Sequence, residues 1–226
     1  MSLGWANSFD KLPDEPTPGV FHSGGHYDDP PLPESDPTVG YKLNHMMMRI
    51  RDPKSTLHFY IDLMGMRTVW TMNAGPFTIY YLAYPSSELD RRDLESWSQK
   101  TSQTNILLHK CGLLELKHIH GSENPVEEGG YEISNGNHPP YLGFGHLGFT
   151  VPNVKAAVER LRDAGVRVVK DLGFNGRESI PLTEWERERG VGADEMTESY
   201  KETLKHVAHV ADPNGYIVEL IPQNLG

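Results

Sequence analysis

Gly143-Phe144-Gly145-His146-Leu147-Gly148-Phe149-Thr150-Val151-Pro152-Asn153 decides the architecture, because its logic occurs a second time as Asn44-His45-Met46-Met47-Met48-Arg49-Ile50-Arg51-Asp52. In each stretch a histidine opens a short apolar strand, and seven residues later Asp52 or Asn153 stands where a helix N-cap is favoured. Each cap precedes a helical pattern that stops at a glycine, Gly65 or Gly165, and a new strand follows. Each copy also closes with a glutamate inside an apolar strand, Leu113-Leu114-Glu115-Leu116 in the first and Ile217-Val218-Glu219-Leu220 in the second. The chain therefore reads as an internal duplication. Two equivalent halves bring the imidazoles of His45 and His146 and the carboxylates of Glu115 and Glu219 toward one centre, which is the donor set of a divalent-metal site.

Composition bounds what else the chain can be. Its 226 residues suffice for one full core or for two small similar modules. A formal net charge of −10 argues against a nucleic-acid or anionic-membrane surface. The single cysteine, Cys111, excludes an intrachain disulfide and fits a reducing compartment, so a cytoplasmic location is expected. No apolar run approaches the roughly 20 residues of a membrane span, and the opening residues, interrupted by Trp5, Asp10 and Asp14, do not read as a signal peptide.

Residues 1 to 40 are rich in proline, glycine and acidic groups. They read either as a disordered tail or as an arm anchored by Trp5 and Phe21. Residues 41 to 122 form the first module. Because a strand repeats every two residues, Arg49 shares a face with His45. Asp52 then caps a helix with Pro53 at its first position and Leu57, Tyr60, Ile61 and Met64 as the inward stripe. Strands are expected at 67 to 73, 77 to 84 and 105 to 119, with 85 to 104 as a polar surface loop. Glu115 lies in the last of these strands, where a buried carboxylate needs a cation, a hydrogen-bond partner or a proton. His118 and His120 face away from it and read as ordinary surface or loop histidines.

A linker over 123 to 142 leads to the second module, 143 to 226. Its helix directs Val154, Val158, Leu161 and Ala164 inward, and strands are expected at 145 to 151, 166 to 170 and 216 to 222. A charged insertion at 171 to 205, reading as two short helices, breaks the symmetry and serves either as decoration or as a lid. The hairpin around Asp212-Pro213-Asn214-Gly215-Tyr216 ends in Glu219.

With these residues in view, the chain resembles the glyoxalase I (lactoylglutathione lyase) family of the vicinal-oxygen-chelate superfamily. The resemblance rests on Arg49, Asp52-Pro53, Phe59-Tyr60, Leu63-Met64-Gly65-Met66, Leu82-Ala83-Tyr84, Leu114-Glu115-Leu116, Asn135-Gly136-Asn137, Gly143-Phe144-Gly145-His146 and Asp212-Pro213-Asn214-Gly215-Tyr216, in order across 41 to 222. It implies an α+β fold of paired βαβββ modules whose curved mixed sheets enclose a metal, with helices outside. Family metal positions fall on His45, Glu115, His146 and Glu219, the four that the internal repeat selects. The implied metal is nickel, cobalt or zinc, the implied co-substrate is glutathione, and the implied assembly is a homodimer.

The reaction resembled is a 1,2-proton shift in the hemithioacetal of methylglyoxal and glutathione, with Glu219 as the base. Arg49, Lys170, Asn135 and Asn137 match substrate-binding places. Two departures bear on glutathione: Leu142 stands where the family has a basic residue, and Ile119 where it has asparagine. Two other functions stay open, a related metalloenzyme with a different, non-glutathione substrate and a non-catalytic binding module of the same fold.

Overall fold

The structure, a computed structural model, describes residues 16–24, 29 and 31–224. Trp5 lies outside these residues, and Phe21 is exposed. The segment around Gly19 touches the second module, where Ser199 Oγ donates to the Gly19 carbonyl at 2.8 Å.

In strand β1 (His45–Ile50), Met48 and Ile50 are buried and His45, Met47 and Arg49 are exposed, as the two-residue period requires, while Met46 at the start of the strand is exposed although it shares the face of Met48. Asp52 caps helix α1 (Pro53–Leu57) by accepting from the amides of Lys54 at 3.0 Å and Ser55 at 3.1 Å. The helix then widens into a π-helical turn, His58–Leu63, which buries the consecutive residues Phe59 and Tyr60 together. A 3.6-residue stripe places Tyr60 inside but not Phe59, so the wider turn enlarges the apolar face. Gly65, with φ of +80°, ends the helical stretch.

Strands β2 (Arg67–Asn73) and β3 (Phe77–Ala83) follow as an antiparallel pair. The stretch expected as a surface loop is instead three short helices, α2 (Glu88–Arg92), α3 (Leu94–Thr101) and α4 (Thr104–Leu107). Ser87 and Asp90 form a reciprocal cap on α2, and Asp93 caps α3. Trp97 of α3 packs with Val69, Tyr81, Ala83 and Leu113 in a satellite core. Strand β4 (Leu113–Ile119) starts later than the 105 expected, because α4 occupies the intervening residues. It pairs in parallel with β1 and antiparallel with β3, giving the order β1-β4-β3-β2.

The linker contains a small hairpin, β5 (Asn137–His138) and β6 (Tyr141–Leu142). The second module then repeats the first with β7 (Leu147–Val151), α5 (Val154–Asp163), β8 (Val168–Lys170), α6 (Glu184–Arg189), α7 (Glu198–Leu204), β9 (Ala208–Ala211) and β10 (Ile217–Pro222). Asn153 caps α5 through the Ala156 amide at 2.9 Å. Val154, Val158 and Leu161 are buried, whereas Ala164, the C-cap residue of the helix, is exposed. The sheet order β7-β10-β9-β8 reproduces that of the first module, and α6 and α7 are the two helices of the insertion.

One continuous core joins the modules, with Met48, Ile50, Phe59, Tyr60 and Leu116 of the first meeting Val154, Leu161, Val210, Val218 and Leu220 of the second. The turn after β9 locks the junction. Tyr60 Oη donates to Asp212 Oδ2 at 3.1 Å, and Asn214 accepts from the Arg51 amide at 2.8 Å while donating to Thr56 Oγ1 at 3.1 Å. The apolar faces of both sheets turn to this core, so the glutamates in their last strands lie on the opposite faces. Among the described residues, no helix is long and apolar enough to cross a membrane.

Candidate metal centre

The register of each sheet explains which side chains meet. In the first module Glu115 lies opposite Met47 on β1 and opposite Tyr81 on β3. In the second, Glu219 lies opposite Gly148 on β7 and opposite His209 on β9. Each repeat histidine sits two residues before the residue that faces its glutamate, and therefore on the same face of the sheet. His45 Nε2 comes within 3.2 Å of Glu115 Oε2, and His146 Nε2 within 3.2 Å of Glu219 Oε2. The duplication is geometric as well as sequential.

These spacings fit a shared cation. Two ligand atoms each about 2.0 to 2.2 Å from a metal, at roughly a right angle, lie about 3 Å apart. Two neutral imidazoles and two carboxylates balance a divalent ion, and the mixed nitrogen and oxygen set suits several transition metals. The two pairs nevertheless stay apart within one chain. His45 lines a cavity with Met46, Met64, Leu114 and Phe149, whereas His146 and Glu219 line another, of about 540 Å³. Among the described residues, no three His, Cys, Asp or Glu side chains of one chain form a group able to hold a metal.

Each carboxylate has one further partner, which reading the sequence did not single out. Tyr81 Oη donates to Glu115 Oε2 at 2.6 Å, and burial pushes the Tyr81 phenol well above its ordinary range, with the Glu115 bond adding to the effect. His209 Nε2 lies 3.3 Å from Glu219 Oε1. Its hydrogen bond holds the Glu219 carboxyl below the usual carboxylate range, against the opposing effect of burial, and the nearby His146 and Lys170 charges act in the same direction as His209. The rings of His146 and His209 stack with centroids 5.8 Å apart.

The profile of the Glyoxalase/Bleomycin resistance protein/Dioxygenase superfamily matches residues 42–220. This chain belongs to that superfamily. Among superfamily relatives, a lactoylglutathione lyase of Pseudomonas aeruginosa is 32% identical over 195 residues, covering 83% of this chain and 86% of that protein. Glyoxalase I of Saccharomyces cerevisiae is 30% identical over 189 residues, covering 83% of this chain but 46% of the yeast protein. The solved glyoxalase I of Leishmania major aligns over 81% of this chain and 88% of its own, with a TM-score of 0.46 and 20% identity. Lactoylglutathione lyases are carbon–sulfur lyases, and by sequence this superfamily member is lactoylglutathione lyase-like.

The other residues that the sequence suggests for substrate binding are placed as follows. Arg49 is exposed on the His45 face of β1, beside Asn135, Phe144 and Tyr216, and makes no salt bridge among the described residues. Asn135 is buried, with Nδ2 donating to the Asn214 carbonyl at 3.3 Å. Asn137 Nδ2 donates to the Phe144 carbonyl at 2.7 Å, and its Oδ1 accepts from the Ile217 amide at 3.3 Å. Both asparagines thus knit the linker to the entrance of β7 and to β10.

Lys170 is buried. Its ammonium donates at 2.7 Å to the carbonyls of Leu204 and of Val207, and burial draws its pKa below the usual lysine value. In this structure its donors hold the end of α7 rather than opening on a cavity. His118 is buried too, bonded to Glu123 at 2.8 Å, so it is a core residue and not the surface or loop histidine expected. It does face away from Glu115, as the strand period requires. The insertion contributes Glu178, Ile180, Pro181, Tyr200 and Leu204 to the cavity of His146 and Glu219, so it forms a wall of that half-site.

Proposed function

We propose that the protein catalyses the metal-dependent isomerisation of the methylglyoxal–glutathione hemithioacetal to S-lactoylglutathione. The observation that carries this reading is the pair of equivalent His–Glu contacts, at the same register positions of two sheets, in a chain whose relatives are lactoylglutathione lyases. His45, Glu115, His146 and Glu219 would hold the ion, with nickel, cobalt and zinc all compatible with the donors. Since His45 lines one cavity and His146 with Glu219 another, and no group of three such side chains forms among the described residues, the reading includes a homodimer in which the first half of one subunit meets the second half of the other. The single cysteine, Cys111, is exposed and free, which suits the reducing, glutathione-containing cytoplasm.

A divalent ion, when bound, supplies Lewis-acid stabilisation of the negative charge that develops on the substrate oxygens. The proton transfer falls to Glu219, which takes the proton from the carbon beside the carbonyl and returns it to the neighbouring carbon. The ionised carboxylate is the form that accepts the proton. Arg49, exposed without a carboxylate partner among the described residues, is placed to bind an anionic end of the thiol peptide. Asn135 and Asn137 act on the substrate by shaping the loop beside it.

A metal-free preparation assayed with methylglyoxal plus glutathione, before and after addition of nickel, cobalt or zinc, tests the proposal. Turnover restored by at least one metal is the expected result, and no turnover with any of them contradicts it. A second reading, a different substrate at the same centre, is favoured by the apolar Leu142 and Ile119 at places where the family has glutathione-binding groups. It predicts metal binding without glutathione-dependent turnover.

A further inference from the structure

The two halves hold their histidine–glutamate pairs by unequal means. Beside His45 stands Asn44, whereas the residue before His146 is Gly145, which has no side chain to offer. The Asn44 amide nitrogen donates to two main-chain carbonyls, Leu107 at 2.9 Å and Lys110 at 2.6 Å. Carbonyls only accept, so these two contacts fix which way the amide faces and turn its oxygen toward His45. Asn44 Oδ1 lies 2.9 Å from His45 Nδ1, and because that oxygen also only accepts, the ring proton belongs on Nδ1. A neutral His45 therefore presents a bare lone pair at Nε2.

That lone pair faces Glu115 Oε2 at 3.2 Å. Two acceptors so placed repel each other unless a cation stands between them, which is the posture of a ligand pair. The same Glu115 oxygen accepts the 2.6 Å bond from Tyr81, whose ring stacks on Trp70 with centroids 4.3 Å apart and lies in the satellite core that includes Trp97. In the second half, no side chain among the described residues holds His146 Nδ1, and Glu219 has the longer 3.3 Å contact with His209.

We infer that Asn44 and Tyr81 are positioning residues that lock His45 and Glu115 as a fixed donor pair, making the first half the rigid member of the site and leaving the second free to move. This rests on the metal-centre reading given above. It also gives a purpose to the helical segment between β3 and β4. The Leu107 and Lys110 carbonyls that orient Asn44 come from α4 and the turn after it, and α3 contributes Trp97 to the satellite core that holds Tyr81.

Two readouts test the inference. In metal-free protein labelled with 15N-histidine, at a pH where imidazoles are neutral, long-range 1H–15N spectra should show His45 protonated at Nδ1. Asn44→Ala should shift the signal toward the Nε2-protonated form. His45 protonated at Nε2 in the native protein overturns the inference, whether or not metal binds. Zinc affinity, measured by competition with a chromophoric chelator, should fall about tenfold or more in Asn44→Ala and in Tyr81→Phe, the loss usual for outer-shell partners of metal ligands. Unchanged affinity in both variants also overturns it. Native protein that binds no zinc, nickel or cobalt counts against the metal-centre reading instead, and the tautomer result then still decides the positioning claim.

Discussion

Glu115 and Glu219 occupy equivalent places in the repeat but different chemical settings. Glu115 is held by a short phenol bond, Glu219 by an imidazole at longer range beside a cavity partly walled by the insertion. A single proton shift needs one base, and the looser carboxylate suits that work. Glu219→Gln should retain much of the zinc affinity, because an amide oxygen still coordinates, yet lose most turnover, because an amide cannot accept the proton. Near-normal turnover in Glu219→Gln, beside an inactive Glu115→Gln that still binds metal, would reverse the assignment. For Arg49, a hydrogen bond to a charged group contributes roughly 1.5 to 3 kcal/mol, so Arg49→Ala should raise KM by about tenfold or more. An unchanged KM would mean that the guanidinium has no substrate partner.

Among the elements, α2 to α4 and the end of α7 carry roles that sequence pattern did not disclose. Each of the three helices between β3 and β4 is too short to display a 3.6-residue stripe, and α3 buries only Trp97 and Thr101. Trp97→Ala should lower stability by about 3 kcal/mol, through the cavity left in the satellite core. Urea denaturation reads this directly, and a loss well under 1 kcal/mol would show that the core there is dispensable. Lys170→Met would strand the Leu204 and Val207 carbonyls, at a cost of about 2 kcal/mol. If Lys170→Met instead left stability unchanged and raised KM, the lysine would belong to the substrate and not to α7.

What the sequence disclosed follows the same physics. Asp52 and Asn153 cap helices, Gly65 and Gly165 end them, and His45 and His146 reach their glutamates, because caps, positive φ and the two-residue strand period are local rules. His209 was within reach of the same reasoning. The turn at 212 to 216 pairs Ala211 with Ile217 and so sets His209 opposite Glu219. Tyr81 was not, since 34 residues and three unforeseen helices separate it from Glu115.

At the scale of the molecule, the shared core settles how the two modules of one chain pack. The helical stretch after β1, α5 and the apolar faces of both sheets turn to that core, while the two histidine–glutamate pairs lie on the opposite faces, with His45 lining one cavity and His146 and Glu219 another. An isologous dimer would join the first half of each subunit to the second half of the other, making two equivalent sites. Complementation tests this most directly. One variant carries His45→Ala with Glu115→Ala, and the other carries His146→Ala with Glu219→Ala. Each alone should be inactive, because every site would lack one pair. Unfolded together and refolded as a mixture, they should recover about a quarter of native activity, since half of the dimers formed at random are mixed and each of these holds one intact site. A refolded mixture as inactive as its two components would contradict a centre shared between subunits.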